Sequence, residues 1–266
     1  MQMISLSYQD LVFLAGLVFL LGIALLLNGF SQTKQLWIAT VRMVVQLFFM
    51  GVWLSWVFVA DQFIWVALVG LVMLAFAGYE IVKRQTYLFD KYASYWIGLL
   101  SLSMTALVLT VMVLRVVIEP QPWWEPQYAI PLLGMVLGNS MTAVGIGLDT
   151  LTKSAIAQKG AIEAQLALGR TGRQAISFVR EQSLHTAMIP IINMLVAAGI
   201  VSLPGMMTGQ ILAGAEPMEA VKYQIMIMLL ITVSTGAGTL IALHLGSRKL
   251  FDARDRLVIG ELHRQK

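Results

Sequence analysis

The sequence predicts an all-α, polytopic membrane protein with about seven transmembrane helices, the N-terminus outside and the C-terminus cytoplasmic. It also predicts a cytoplasmic helical hairpin between spans five and six. Three observations carry this prediction. The chain of 266 residues is 58% hydrophobic and only 12% charged, with a mean hydropathy of +0.79, whereas soluble domains carry roughly 25% charged residues. Its apolar residues gather into runs of about 20, the length a helix needs to cross the hydrocarbon core. Its eighteen Lys and Arg residues fall almost entirely between alternate runs, as the positive-inside rule requires of cytoplasmic loops.

Taken in order, the runs are 8–27, 36–59, 63–82, 95–118, 128–148, 184–203 and 223–245. The first does not read as a cleaved signal: no basic residues open it, Asp10 precedes the apolar stretch, and no small-residue cleavage site follows. Along this zigzag only Arg115 and Lys222 stand on the outer side, whereas Lys34, Lys83, Arg84, Lys153, Arg248 and the other basic residues, to Lys266, stand on the inner side. An odd number of spans preserves that asymmetry. Trp37, Tyr95, Trp123, Trp124 and Tyr223 sit near run ends, where amphipathic rings suit the water–lipid boundary. Residues 60–62 are expected to form a tight outer turn. The outer loop 119–127, EPQPWWEPQ, contains three prolines, which disfavour helix and predict a rigid connection.

Segment 149–183 is the long inner connection. Ile156, Lys159, Ile162, Glu163 and Leu166 recur at helical spacing, as do Ala175, Phe178, Val179 and Gln182. Between them, Gly169-Arg170-Thr171-Gly172 is a break signal. Two helices joined by a glycine-flanked turn follow. Lys159 and Glu163, four apart, can pair on an exposed face, and Arg173 and Arg180, seven apart, share a face. Such a segment is either a solvated connector or a docking element whose rigid end seats in a groove of another protein.

Composition excludes several chemistries. With no Cys, this chain can hold neither a thiolate nucleophile nor a Cys-ligated zinc or iron–sulfur centre. No G-x-x-x-x-G-K-[ST] stretch occurs, so the chain cannot build the phosphate cradle of a P-loop. H-E-x-x-H and G-x-S-G are also absent, and GIGLD at 145–149 has one residue too many for the Gly-x-Gly-Asp of aspartyl intramembrane proteases. No cofactor on this chain and no nucleic-acid partner are expected, the basic residues being accounted for by membrane orientation.

Polar groups inside spans are costly and often functional. Asn139, Ser140 and Thr142 lie in span five, Asn193 near Pro190 in span six, and Thr232, Ser234 and Thr235 in span seven. They line either a translocation path or a seam between two copies. Arg42 and Gln46, one turn apart near the inner end of span two, and Glu80, near Lys83 and Arg84, form a candidate gating or ion site. The plainer readings are an Arg42 that snorkels to the headgroups and an interfacial ion pair for Glu80. The sixteen Met residues suit core filling as well as soft-ion ligation, and no metal ligands are assigned.

Glu163, Ala164 and Gly169 resemble the EAA loop of ABC importer permeases, where a short coupling helix docks on the ATPase subunit. Gln165 stands where the third position is usually Ala, and the Leu-Pro pair that follows in the importers is not at its usual distance. A longer resemblance covers the second half of the chain. PLLGMVLGNSMTAVGIGLD, EAQLALG, TAMIPIINMLVAAGIVSLPGMMTGQILAG and AVKYQIMIMLLI together are similar to the FetB-like (YbbM-like) permeases, bacterial iron-export ABC permeases with plant relatives linked to aluminium tolerance. Arg170 departs from the Ala expected there.

The resemblance implies a transmembrane permease domain over 1–246, with a coupling hairpin at about 149–184, and a basic cytoplasmic tail over 247–266. It implies a non-catalytic subunit that exports iron, another metal ion or a small solute across the bacterial inner membrane. ATP and Mg would be bound by a separate cytoplasmic ATPase, two copies of which would join two copies of this chain among membrane lipid. The implied ATPase-coupling residues are Glu163, Ala164, Gly169, Arg170, Gly172 and Arg173. An ion-coupled secondary carrier or channel is the alternative. It would use Glu80, Arg42 and Asn139 but would leave the hairpin without a purpose, and such carriers usually show a repeat between halves that is not visible here.

Overall fold

The computed structural model describes residues 7–30, 33–60 and 62–264. Asp61 of the expected outer turn and Lys266 of the expected tail lie outside these residues. The chain forms two compact units. One gathers the chain up to Gln62 together with Leu212–Gly214; the other takes Phe63–Ile211 and the chain from Ala215 onward.

In the first unit, α1 (Tyr8–Leu27) and α2 (Thr33–Ala60) pack against each other. A capping box starts α1: the Ser7 hydroxyl accepts from the Asp10 N–H, and the Asp10 carboxylate accepts from the Ser7 N–H at 2.9 Å. Trp37 of α2 stacks on Phe19 of α1 with ring centroids 5.0 Å apart and lies over Gly22. Most large apolar side chains of the pair are exposed, as expected of helices that are apolar all round and surrounded by hydrocarbon.

The second unit begins with α3 (Phe63–Arg84) and the two-residue strand β1 (Tyr87–Leu88). A near-continuous rod follows: α4 (Lys91–Leu102), a π-helical turn (Ser103–Leu107), α5 (Val108–Val113) and a second π-helical turn (Leu114–Ile118). The proline-rich loop lies where expected. Trp123 and Trp124 pack on Phe63, and the Arg115 guanidinium lies 4.1 Å over the Trp123 ring. Next comes α6 (Pro126–Ala157), the central helix, which packs against α3 and the later helices α9 (Ser177–Ala197) and α11 (Pro217–Lys249). Val136, Val144, Leu148, Leu151 and Ala155 on α6 are wholly buried. Between α6 and α9 lie α7 (Lys159–Ala167) and α8 (Gly172–Ala175). Helix α10 (Gly205–Leu212) precedes α11, and β2 (His263–Arg264) lies near the end of the chain.

Among the described residues, six helices are long and apolar enough to cross a membrane: Tyr8–Leu27, Thr33–Ala60, Phe63–Arg84, Tyr92–Ile118, Pro126–Ala157 and Pro217–Lys249. The expected run 184–203 is the difference. Its helix, α9, starts at Ser177 and so takes in Arg180, Glu181, Gln182 and His185. It stops at Ala197, beyond which Ala198 is extended, Gly199 has φ +85° and Ala198 bridges to Ser202. The polar start and early stop leave it a shorter apolar stretch than the other six.

Candidate functional site

The hairpin grows directly out of the core. Helix α6 runs past the expected membrane boundary to Ala157, and Gln158 turns the chain into α7. The Gln158 side-chain amide donates to the Gln182 Oε1 at 3.1 Å, linking the start of α7 to α9. Ile162 of α7, Ala175 of α8, and Ile176 and Val179 are wholly buried and form the inward face. Glu163, Ala164, Ala167, Leu168, Gly169 and Arg170 form the outward face and tip; all are exposed, and Leu168 retains 76% of its surface.

The break is a glycine-terminated helix end. The Gly169 N–H donates to the Leu166 carbonyl at 2.9 Å and the Arg170 N–H to the Gln165 carbonyl at 3.2 Å, the two bonds of a Schellman motif. Gly169 has φ +81°, a conformation that glycine adopts without a Cβ clash. Thr171 then opens α8 with a second capping box, its N–H donating to the Gln174 Oε1 at 3.1 Å. Lys159 and Glu163 are 3.6 Å apart. Both are more than half exposed, so the pair contributes little stability.

Arg170, Thr171, Arg173, Gln174, Ser177 and Arg180 line an open hollow of about 670 Å³ that contains no carboxylate. The Arg180 Nε is buried and has no hydrogen-bond partner. Burial first, and the positive charge of Arg173 second, hold the Arg180 guanidinium below its ordinary pKa.

Gly172 lies beneath the C-terminal segment. Leu250 is wholly buried, and Phe251 bridges to Leu257. The Asp252 carboxylate accepts the Arg254 N–H at 2.9 Å, the Arg256 N–H at 2.8 Å and the Arg256 guanidinium at 2.7 Å. Strand β2 then pairs antiparallel with β1, Tyr87 opposite Arg264 and Leu88 opposite His263. The loop carrying β1 is tied to α6, because the Thr86 N–H donates to the Asp149 Oδ1 at 2.7 Å, while Asp149 also ion-pairs with Lys153 at 2.7 Å. Hairpin, tail and the loop after α3 therefore form one folded layer. Sequence reasoning did not single out Asp149, Phe251, Asp252 or Asp255 for this role. The signal present was the Asp-rich turn in FDARDR, since Asp side chains bond backbone two residues on.

The polar residues of the spans divide into groups. Ser140 on α6 hydrogen-bonds Ser234 on α11 at 3.0 Å and reaches Thr235 at 3.5 Å; all three are buried. Asn139, Thr142 and Thr232 are half-buried and donate to carbonyls four residues back, at Met135, Gly138 and Met228. Asn193 is exposed on α9. Arg42 and Gln46 are exposed on α2 in the first unit, and Glu80 is half-buried on α3 in the second. Among the described residues, no three of His, Asp or Glu gather where a metal ion could sit.

This architecture defines the class: an all-α, multi-pass membrane protein with a folded hairpin on its basic side. The chain belongs to the uncharacterised protein family UPF0014, whose pattern matches residues 8–251. It is 35% identical over 264 residues to UPF0014 membrane protein slr1647 of Synechocystis sp. (97% of this chain, 98% of that protein). It is 33% identical over 224 residues to the probable iron export permease protein FetB of Escherichia coli (84% of each chain). It is 33% identical over 198 residues to ALUMINUM SENSITIVE 3 of Arabidopsis thaliana (74% and 69%). No solved structure matches. The resemblance read from the second half of the sequence thus extends over most of the chain.

Proposed function

We propose that this chain is the non-catalytic membrane subunit of an ABC transporter that exports a metal ion, iron first among them, or a small solute. The observation that carries the reading is the hairpin tip. Leu168 stands 76% exposed beside Glu163 and Ala164, on a helix pinned by the wholly buried Ile162. An exposed apolar side chain on a rigid, polar-rimmed mount is the form of a docking knob. Glu163, Ala164, Gly169, Arg170 and Arg173 would then couple to the partner, with Gly172, buried beneath the tail, setting the turn behind them.

The partner supplies the nucleotide chemistry. This chain has no P-loop, so ATP and Mg would be held by a cytoplasmic ATPase, two copies of which need two copies of this chain. Metal cargo and outward direction draw support from the name of the E. coli relative, a probable iron export permease. Asn139, Thr142, Asn193 and Thr232 would line the route or the seam between copies, while Ser140, Ser234 and Thr235, buried against one another, would hold α6 to α11 behind it. In this reading α9 crosses the bacterial inner membrane as the sixth of seven spans, which keeps the basic residues inside.

The test is reconstitution. The chain is purified from its native membrane, any P-loop ATPase that accompanies it is identified, and both are placed in liposomes loaded with iron or other metals. The expected result is a co-purifying ATPase and metal movement that requires ATP. Metal movement by the chain alone, driven by an ion gradient, would establish the carrier instead.

A further inference from the structure

The hollow beside the hairpin holds three guanidinium groups and no acid. Three neighbouring cations have acidic partners: Lys153 has Asp149, Lys159 has Glu163, and Arg256 has Asp252. The adjoining depression, which Arg173 also lines, contains Asp252 and Asp255. Among the described residues, Arg170, Arg173 and Arg180 enter no ion pair of this kind, and they share their hollow only with Thr171, Gln174 and Ser177. The guanidiniums, the Gln174 amide and the Thr171 hydroxyl can donate, whereas the Ser177 hydroxyl already donates to the Gln174 carbonyl at 2.8 Å. Gln174 uses its oxygen to cap α8, which leaves its NH₂ as a donor. Arg180 also keeps a buried Nε without a partner. Like charges gathered with a desolvated, unsatisfied donor are unfavourable unless an anion completes them.

We propose that the hollow lined by Arg170, Arg173 and Arg180 is a binding site for a phosphate group. Several guanidinium forks match the oxygens of a phosphate in geometry as well as charge. The position suggests where the phosphate comes from. Arg180 lies four residues before Leu184, where the apolar run begins; with α9 crossing as proposed above, the hollow would stand at the level of inner-leaflet headgroups. A soluble phosphate compound from the cytosol offers the same group. The inference does not rest on the coupling role of the hairpin: an anion site here survives if no ATPase is ever found.

The test uses the full chain. In detergent, inorganic phosphate is titrated by calorimetry. In parallel, the chain is assembled in phosphatidylcholine nanodiscs with and without phosphatidic acid, and retained lipid is counted by native mass spectrometry. Arg173→Gln and Arg180→Gln should weaken phosphate binding or lipid retention at least tenfold. Arg180→Lys should weaken it less, since it keeps charge but loses the fork, and Lys153→Gln should have no effect. Arg173 is exposed, so its variant keeps the test valid if replacement of Arg180 disturbs folding. Retention of phosphatidic acid without binding of inorganic phosphate supports the headgroup as source; phosphate binding without lipid enrichment supports a soluble one. Equal binding by the wild type and both Gln variants, or none by any, overturns the site. Loss of a protein partner in R173Q with no change toward either phosphate probe also overturns it and assigns the arginines to a protein interface.

Discussion

The Cβ that Gly172 lacks would stand 2.8 Å from the Asp255 carboxylate oxygen and 2.8 Å from the Phe251 ring, so the tail lies directly on the second helix of the hairpin. Replacing Gly172 by Val should lift the tail, at a cost of about 1–3 kcal/mol as in other overpacked sites. Hydrogen exchange at His263 and Arg264, which pair with β1, should then rise severalfold. Unchanged protection there would mean that β2 is held without the hairpin.

Leu168 and Gly169 test the dock. If the exposed tip is an anchor, Leu168→Asp should weaken capture of the ATPase by about 2 kcal/mol, the scale of an interface hot spot. Insertion should be normal, because this side chain faces outward. Gly169→Leu places a branched side chain at φ +81°, where a residue with a Cβ loses about 1–2 kcal/mol. Glu163→Ala should reduce ATP-coupled transport without loss of insertion. Binding and transport assays on the three variants decide the matter, and wild-type values throughout would remove the coupling role.

Ser140 and Ser234 test what holds α6 to α11. A hydrogen bond between membrane helices contributes about 0.6 kcal/mol and at most about 1.7. Ser140→Ala and Ser234→Ala should each lower unfolding stability in detergent by that order. The double variant should cost less than the sum, since both remove the same 3.0 Å contact. Additive losses would mean that the two hydroxyls act separately.

The tail should depend on pH. Hydrogen bonds from Arg256, its backbone N–H first, hold the Asp252 carboxyl below the usual carboxylate range. A carboxyl with a depressed folded pKa contributes stability above its unfolded pKa and loses it as pH falls through the folded value. The turn at Asp252 should therefore stay ordered from neutral pH down to the ordinary carboxylate range and loosen below it. Asp252→Asn should remove that transition. Exchange rates of the Arg254 and Arg256 amides report it.

The course of α9 can be settled chemically because the chain has no Cys. With α9 as the sixth of seven crossings, Ser202→Cys should react with an impermeant maleimide only from outside, and Leu168→Cys only from inside. Labelling of both from the same side would make α9 a helix that enters and returns, and would reverse the orientation of everything after it.

Much of this protein is legible residue by residue. In a bilayer each helix must satisfy its own backbone, so a run of apolar residues reports a span with little help from its neighbours. Six of the seven runs appear as helices long and apolar enough to cross, and Gly169 and Gly172 marked the hairpin break because turn chemistry is local. The end of α9 was not legible. Residues 198–203 read as apolar, but the chain leaves the helix at Ala198 and closes on itself through a contact from Ser202 back to Ala198, which hydropathy does not register.

By itself the sequence determined the class of protein, the positions of most spans and the existence of a hairpin on the basic side. These follow from the cost of polar groups in hydrocarbon and from periodicities within one helix. Tertiary structure alone decided that Ser140 meets Ser234, that Asp149 holds Thr86, and that a tail known only by its charge pairs with β1 and covers Gly172. Each of those contacts joins residues more than sixty positions apart. A two-residue strand or a single hydroxyl carries no local period, so its partner is set only when the whole unit packs.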